Sequence, residues 1–277
     1  MSPFYIIYYL GEMIIMLRLL LTKFKKILML LLIAFMVNTS SAYADSPDVI
    51  RLRFTDDFVN IKVEETVDTM AMQRQCEVII RAGEYEGKAG KRIYVNNTTV
   101  NLPDDIPVRN DGDGKGFYVS EWDINVKEAK AIVEKLQAKG VNAKLQIAYS
   151  KSEDLNAAGR IANKSNPKLY VSVHHNSYES NSTGYFAMYN PNNQKSKEAA
   201  DRLSNAIDDN GRIPQRASRE NTGYIGELNV INDSTVPVLL ELGYFSNISE
   251  LENICSNSYV DYVSTNLANE ISLMLNE

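Results

Sequence analysis

The chain has only two histidines, two cysteines and one tryptophan in 277 residues. Cys76 and Cys255 show no CxxC-type spacing, so a thiolate metal cluster is excluded, and their separation leaves a disulfide between them open. Basic residues are also short. Arg18, Lys23, Lys25 and Lys26 all fall in the first 44 residues, against Glu12 alone; subtracting those four cations and one anion leaves 25 basic against 34 acidic residues, a net charge of −9. Such an acidic body is a poor polyanion binder, which argues against nucleic acid as a partner. There is no internal repeat and no second stretch with a core of its own.

Residues 1–44 read as a signal peptide. Lys23, Lys25 and Lys26 precede an apolar run from Ile27 to Val37, and Ala42-Tyr43-Ala44 matches a small-x-small cleavage site. The alternative is an uncleaved leader that anchors the protein to a membrane. Residues 45–76 form an N-terminal extension whose apolar positions (Val49, Ile50, Leu52, Phe54, then Val59, Ile61, Val63) suggest one or two edge strands. Residues 77–277 carry strands alternating with helices. The pattern predicts a single α/β domain, a twisted and mostly parallel sheet with helices on both faces. A strand at 77–80 is expected to end in a turn at Gly83 and Gly87, followed by a long polar loop from Lys88 to Lys115. Ser120 is a candidate N-cap for a helix to about Lys139, with a buried stripe of Trp122, Val126, Ala129, Val133 and Leu136. Further expectations are a helix from Ser152, strands at 183–189 and 228–231, a helix at 196–208, and a C-terminal amphipathic helix built on Val260, Val263, Leu267, Ile271 and Met274.

Two strands carry the chemistry. Lys168-Leu-Tyr-Val-Ser-Val-His-His-Asn176 is an apolar run ending in both histidines, which strand alternation turns to opposite faces. Val236-Pro-Val-Leu-Leu-Glu-Leu242 buries a lone carboxylate, Glu241, which is costly unless it is paired or bound to a metal. In open α/β sheets ligands collect at the carboxyl ends of strands. Glu84, Glu121, His174 and Glu241 all fall near such ends or at a helix start. Oxygen and imidazole donors of this kind suit Zn²⁺ with one position left for water. Glu121 has a second reading, as a carboxylate complementing the helix dipole.

Val171-Ser-Val-His-His-Asn-Ser177 resembles the SIHxN strand of the zinc-dependent N-acetylmuramoyl-L-alanine amidases of type 3, and Pro237-Val-Leu-Leu-Glu-Leu-Gly-Tyr-Phe-Ser-Asn247 resembles their PavLvElGFlsN signature. Glu121 after a Gly-rich loop and Ala162-Asn163 also fit. The likeness spans about residues 77–275. It implies a hydrolase cutting the amide between the lactyl group of N-acetylmuramic acid and L-alanine in peptidoglycan, secreted to act in the cell wall. His174 and Glu121 would be zinc ligands, Glu241 the catalytic carboxylate, and His175 no ligand. Two positions depart from the family. Arg81-Ala-Gly-Glu-Tyr-Glu-Gly87 stands where the family has DPGHGG, so Glu84 takes the place of a ligating histidine, with Glu86 as a substitute if the register slips. Ala158 stands where the family usually has Arg. The alternative function is a degenerate amidase-like domain that binds peptidoglycan without hydrolysis. Oligomeric state is not legible.

Overall fold

Runs of aliphatic and β-branched residues between helical segments build the sheet, as a computed structural model shows. The structure describes residues 49–51, 64–66, 76–88, 91–96, 100–112, 114–207, 213–223 and 225–277. The leader at 1–44 lies outside them, as do Leu52, Phe54, Val59, Ile61 and Val63. The chain divides into Met1–Gln73 and Arg74–Glu277. In the first unit β1 (Val49–Arg51) and β2 (Glu64–Thr66) pair with each other, antiparallel.

In the second unit the elements are β3 (Val78–Tyr85), β4 (Arg92–Tyr94), β5 (Arg109–Asn110), β6 (Phe117–Ser120), α1 (Glu121–Ala138), β7 (Ala143–Ala148), α2 (Asn156–Asn163), β8 (Leu169–Asn176), β9 (Phe186–Tyr189), α3 (Gln194–Ala206), β10 (Arg219–Glu220), α4 (Gly226–Val230), β11 (Val236–Tyr244), α5 (Ile248–Cys255) and α6 (Asn257–Leu275). Six strands form one sheet in the order β10-β9-β11-β8-β3-β7. Every neighbouring pair is parallel except β11 with β9. This is the expected α/β domain with a mostly parallel sheet.

Strand alternation divides the core. Ile80, Ala82, Val171, Val173, Val238 and Leu240 face the large cluster shared with α1, α3 and α6. Ile79, Tyr170 and Leu239 face a smaller cluster with Ala162 of α2 and Leu228 of α4. From β3 the chain crosses through α1 to β7, on one side of β3. It then returns through α2 to β8, on the other side. The β3–β8 pair is therefore the switch point of the sheet, where a parallel α/β fold opens a crevice at its strand ends.

Several expectations change. β3 does not stop at Ile80 but runs to Tyr85, with a register shift against β7 between Arg81 and Tyr85. The 88–115 stretch is not a plain loop, because β4, β6 and β5 form a three-stranded antiparallel sheet there. Residues 228–231 lie mostly in α4 rather than in a strand, and α5 was not anticipated. Lys151–Glu153 is a 3₁₀ turn and the helix proper starts at Asn156. In α1 the predicted stripe holds from the third turn on, where Ala129, Val133 and Leu136 are buried together with Ile132; in the first two turns Glu121, Ile124, Asn125 and Glu128 take the buried face, and Trp122 and Val126 are only half-buried. Those first two turns face the strand ends, where the site lies. Ser120 does cap the helix, accepting from the Asp123 amide. Both cysteines are buried free thiols, in separate clusters. No helix among the described residues is long and apolar enough to cross a membrane.

Candidate active site

The face of the sheet that carries the smaller cluster turns polar toward the strand ends. In register, Ile79 lies beside Tyr170 and Arg81 beside Ser172 on β3 and β8, and Glu241 of β11 lies beside His174. Arg81, Ser172 and Glu241 each follow an apolar residue of that cluster by two positions and His174 follows Ser172 by two, so alternation and this register together put Arg81, Ser172, His174 and Glu241 on one face. Gly83 makes the arrangement possible. A Cβ there would lie 2.3 Å from Nε2 of His174, so β3 must lack a side chain where the imidazole sits. The next residue, Glu84, takes φ 65°, the left-handed region that non-glycine residues rarely enter. That turn of the backbone brings its carboxylate back over the ring.

Glu84, Glu121 and His174 offer donor atoms all within 4.8 Å of one another. Nδ1 of His174 is 3.2 Å from Oε1 of Glu121 and 3.8 Å from Oε1 of Glu84. Oε1 of Glu121 also accepts from Nδ2 of Asn125 at 3.3 Å and from the His175 amide at 3.4 Å, which ties the first turns of α1 to the end of β8. Two lysines face the same carboxylates. Lys91 Nζ lies 3.0 Å from Glu121 and 3.3 Å from Glu84, and Lys88 pairs with Glu84 and, at 3.2 Å, with Asp154. Glu86 does not join the cluster; it is turned toward Arg109, 4.0 Å away.

Electrostatics set the protonation of the group. Burial opposes ionisation of Glu121, but the hydrogen bond and charge of His174 and the Lys91 ammonium outweigh it and bring the carboxyl down to about 2. Burial likewise disfavours an imidazolium at His174, yet Glu121 on one side and Glu227 on the other push it up to about 10. Glu241 moves the other way. Its burial, helped by the charges of Glu121 and Glu84, outweighs the lowering by His174 and Lys91 and raises it to about 7, and Oε2 is shielded from solvent with no hydrogen-bond partner. His175 points to the opposite face, as alternation predicts: Nδ1 lies 2.8 Å from Oδ1 of Asn125, and burial lowers the ring to about 3, so it is a neutral core residue.

Sequence reasoning missed a second layer. Arg81 is fully buried and pairs with Asp154 and, at 3.1 Å, with Glu227. Glu227 also accepts from the Tyr170 hydroxyl at 3.1 Å. Arg81 was visible by the logic applied to Glu241, as a lone charge in the run Val78-Ile-Ile-Arg-Ala82; ending the strand at Ile80 hid it. Glu227 had no such signal, because it lies in a short helix outside any apolar run.

A family profile described as N-acetylmuramoyl-L-alanine amidase matches residues 109–272, more than half of the chain. The chain belongs to that family. The matched stretch holds Glu121, His174, Glu227 and Glu241, while Glu84 precedes it. Solved amidases share the fold. The N-acetylmuramoyl-L-alanine amidase from Clostridium difficile 630 aligns with a TM-score of 0.54 at 20% identity over 74% of this chain and 99% of that one. The catalytic domain of CwlV, an amidase from Bacillus (Paenibacillus) polymyxa var. colistinus, gives 0.52 at 19% identity over 72% and 97%. Ami1, an amidase from Mycobacterium smegmatis, gives 0.55 at 16% identity over 72% and 96%. Among curated proteins none matches the chain.

Proposed function

We propose that this amidase-family chain hydrolyses the bond between the lactyl group of N-acetylmuramic acid and L-alanine in peptidoglycan, using zinc held by Glu84, Glu121 and His174. The observation that supports this reading most is the convergence of those three donors within 4.8 Å, beside a carboxyl, Glu241, raised to about 7. The donor set suits zinc in type and number, with one position left for water. Oε2 of Glu84 pairs with Lys88 and Oε2 of Glu121 with Lys91 at 3.0 Å, so lysine ammonium groups stand where a metal would compete for both oxygens. Zinc, when bound, acidifies a water and polarises the amide carbonyl. Glu241 does the proton work. A carboxyl poised near neutrality accepts the proton of the attacking water and returns it to the departing L-alanine nitrogen. Gly83 and Asn125 keep the ligands in place: the first leaves room for the imidazole, and the second ties Glu121 to the Gly83 carbonyl through its Nδ2 at 3.1 Å. A substrate outside the cytoplasm agrees with reading residues 1–44, from their sequence pattern, as an export leader.

A second reading has one observation in its favour. Lys91 already bridges Glu84 and Glu121, as a metal would; on this reading the domain holds together without zinc and binds peptidoglycan without cutting it. The test is metal analysis of the purified full-length chain, followed by digestion of peptidoglycan and mass spectrometry of soluble products. Stem peptides with a new L-alanine amino terminus, released only with zinc present, are expected. Zinc-free protein that pulls down peptidoglycan and releases nothing would establish the second reading instead.

A further inference from the structure

The two ring nitrogens of His174 meet different neighbours. Nδ1 faces Glu121 and Glu84. Nε2 lies 3.5 Å from Oε1 of Glu227 and 3.5 Å from Nη1 of Arg81. A carboxylate matches an N–H on that nitrogen, and a guanidinium matches a bare lone pair. The surroundings decide between them. The Nη groups of Arg81 already have other partners: Nη2 donates to Asp154, and Nη1 to Ser172 at 3.4 Å and to Oε2 of Glu227 at 3.1 Å. Oε2 of Glu227 is occupied by Arg81 and Tyr170, while Oε1 is turned to the ring. Flipping the imidazole about Cβ–Cγ would present carbon atoms to Glu121 and Glu227 alike, so one orientation satisfies both sides.

We propose that Glu227 is a positioning residue: it accepts the Nε2–H of His174 and so aims the Nδ1 lone pair into the pocket of Glu84 and Glu121. Arg81 and Tyr170 hold Glu227 in that pose. A metal-binding imidazole whose far nitrogen donates to a carboxylate has its tautomer fixed and its basicity raised. Glu227 is 2% exposed, and a carboxylate so buried needs the cation that Arg81 supplies. The inference rests on the zinc reading above, and it goes further by assigning a nitrogen to the metal and a role to a residue outside the ligand set.

The experiment has two parts on the full chain. Cadmium-113 is loaded in place of zinc, and one-bond coupling to ring nitrogen is read by ¹⁵N NMR; with only two histidines in the chain the assignment is direct. Coupling is expected at Nδ1 of His174. Zinc affinity is then compared by chelator competition for the unsubstituted chain and Glu227→Gln, where a loss of about 10- to 100-fold is expected. The cadmium spectrum needs no substitution, so it decides the matter even if Glu227→Gln fails to fold. Coupling at Nε2, or an unchanged affinity in Glu227→Gln, overturns the inference and leaves the zinc reading standing. A chain that takes up neither metal overturns both.

Discussion

Loading zinc on this cluster must expel a proton. In the metal-free protein His174 lies between Glu121 and Glu227; burial works against its charge, but the two carboxylates prevail and raise it to about 10. At pH 7 the ring is therefore an imidazolium, and it has to become neutral before it can ligate. Each pH unit below the raised value weakens apparent zinc binding about tenfold, or about 1.4 kcal/mol. At pH 7, three units below it, the penalty is about 10³-fold, on the order of 4 kcal/mol. Glu241, raised to about 7, adds a further fraction of a proton near neutrality as zinc favours its ionised form. Isothermal titration in buffers of different ionisation enthalpy counts the protons directly. Between pH 7 and pH 8.5 at least one proton per zinc is expected, with log affinity rising by about one per pH unit. Zinc uptake with no proton release and a flat affinity across that range would refute the reasoning, because His174 would then be neutral beforehand or not a ligand. The same shift sets stability without metal. A raised histidine stabilises the fold fully below its unfolded value of 6.5, and that contribution disappears as pH climbs through about 10. Glu121 and Glu227, both brought down to about 2, stabilise above the ordinary carboxyl range and lose that effect as pH falls toward 2.

Four other outcomes follow from the same geometry. Lys91→Met removes an ammonium that competes for Glu84 and Glu121, so zinc should bind about tenfold tighter by chelator competition while the metal-free protein melts lower; weaker zinc binding would show that Lys91 supports the site. Glu241→Gln should retain zinc but slow peptide release by about 10²-fold or more, measured as product formation at saturating peptidoglycan. Glu84→His should preserve or raise zinc affinity, since histidine is among the residues that tolerate the φ of 65° found there; loss of zinc would mean Glu84 holds the metal in a way an imidazole cannot copy. His174→Ala should abolish zinc uptake, whereas His175→Ala should leave it intact and cost about 1–3 kcal/mol of stability in urea titration, the effect of stranding buried Asn125.

The sequence carried the skeleton of the site. A period of two in Val171 to Asn176 was enough to turn His174 and His175 to opposite faces, and the choice of His174, with Glu241 as its neighbour, came from the family resemblance. The N-cap at Ser120 placed Glu121 at a helix start, where it meets the strand ends. What stayed hidden was what a one-dimensional pattern does not encode. The backbone of Glu84 enters the left-handed region inside a strand that shifts register, and no residue there announces it. The small antiparallel sheet of β4, β5 and β6 uses strands of two to four residues, too short for an alternation to register. Glu227 lies in a five-residue helix, and residues 228–231, which run just past its end, show an apolar spacing that serves a strand equally well. The stripe predicted for α1 holds at Ala129, Val133 and Leu136 but not in the first two turns, where Glu121, Asn125 and Glu128 lie on the buried side and a search for apolar residues finds nothing.

Glu84, which by the resemblance stands at the position of a ligating histidine, adds a negative charge to a pocket that already holds Glu121, Asp154 and Glu227. Arg81, Lys88 and Lys91 all bond to that pocket, and with His174 protonated they balance Glu84, Glu121, Asp154 and Glu227 one for one. The metal-free cluster is thus close to neutral while Glu241 keeps its proton. A divalent cation entering it expels the His174 proton and leaves one excess positive charge, which ionised Glu241 cancels. On the proposed mechanism the carboxyl that handles the substrate's protons is also the group whose charge completes the loaded site, which would couple zinc binding to the readiness of Glu241 as a base by electrostatics across the β8–β11 pair.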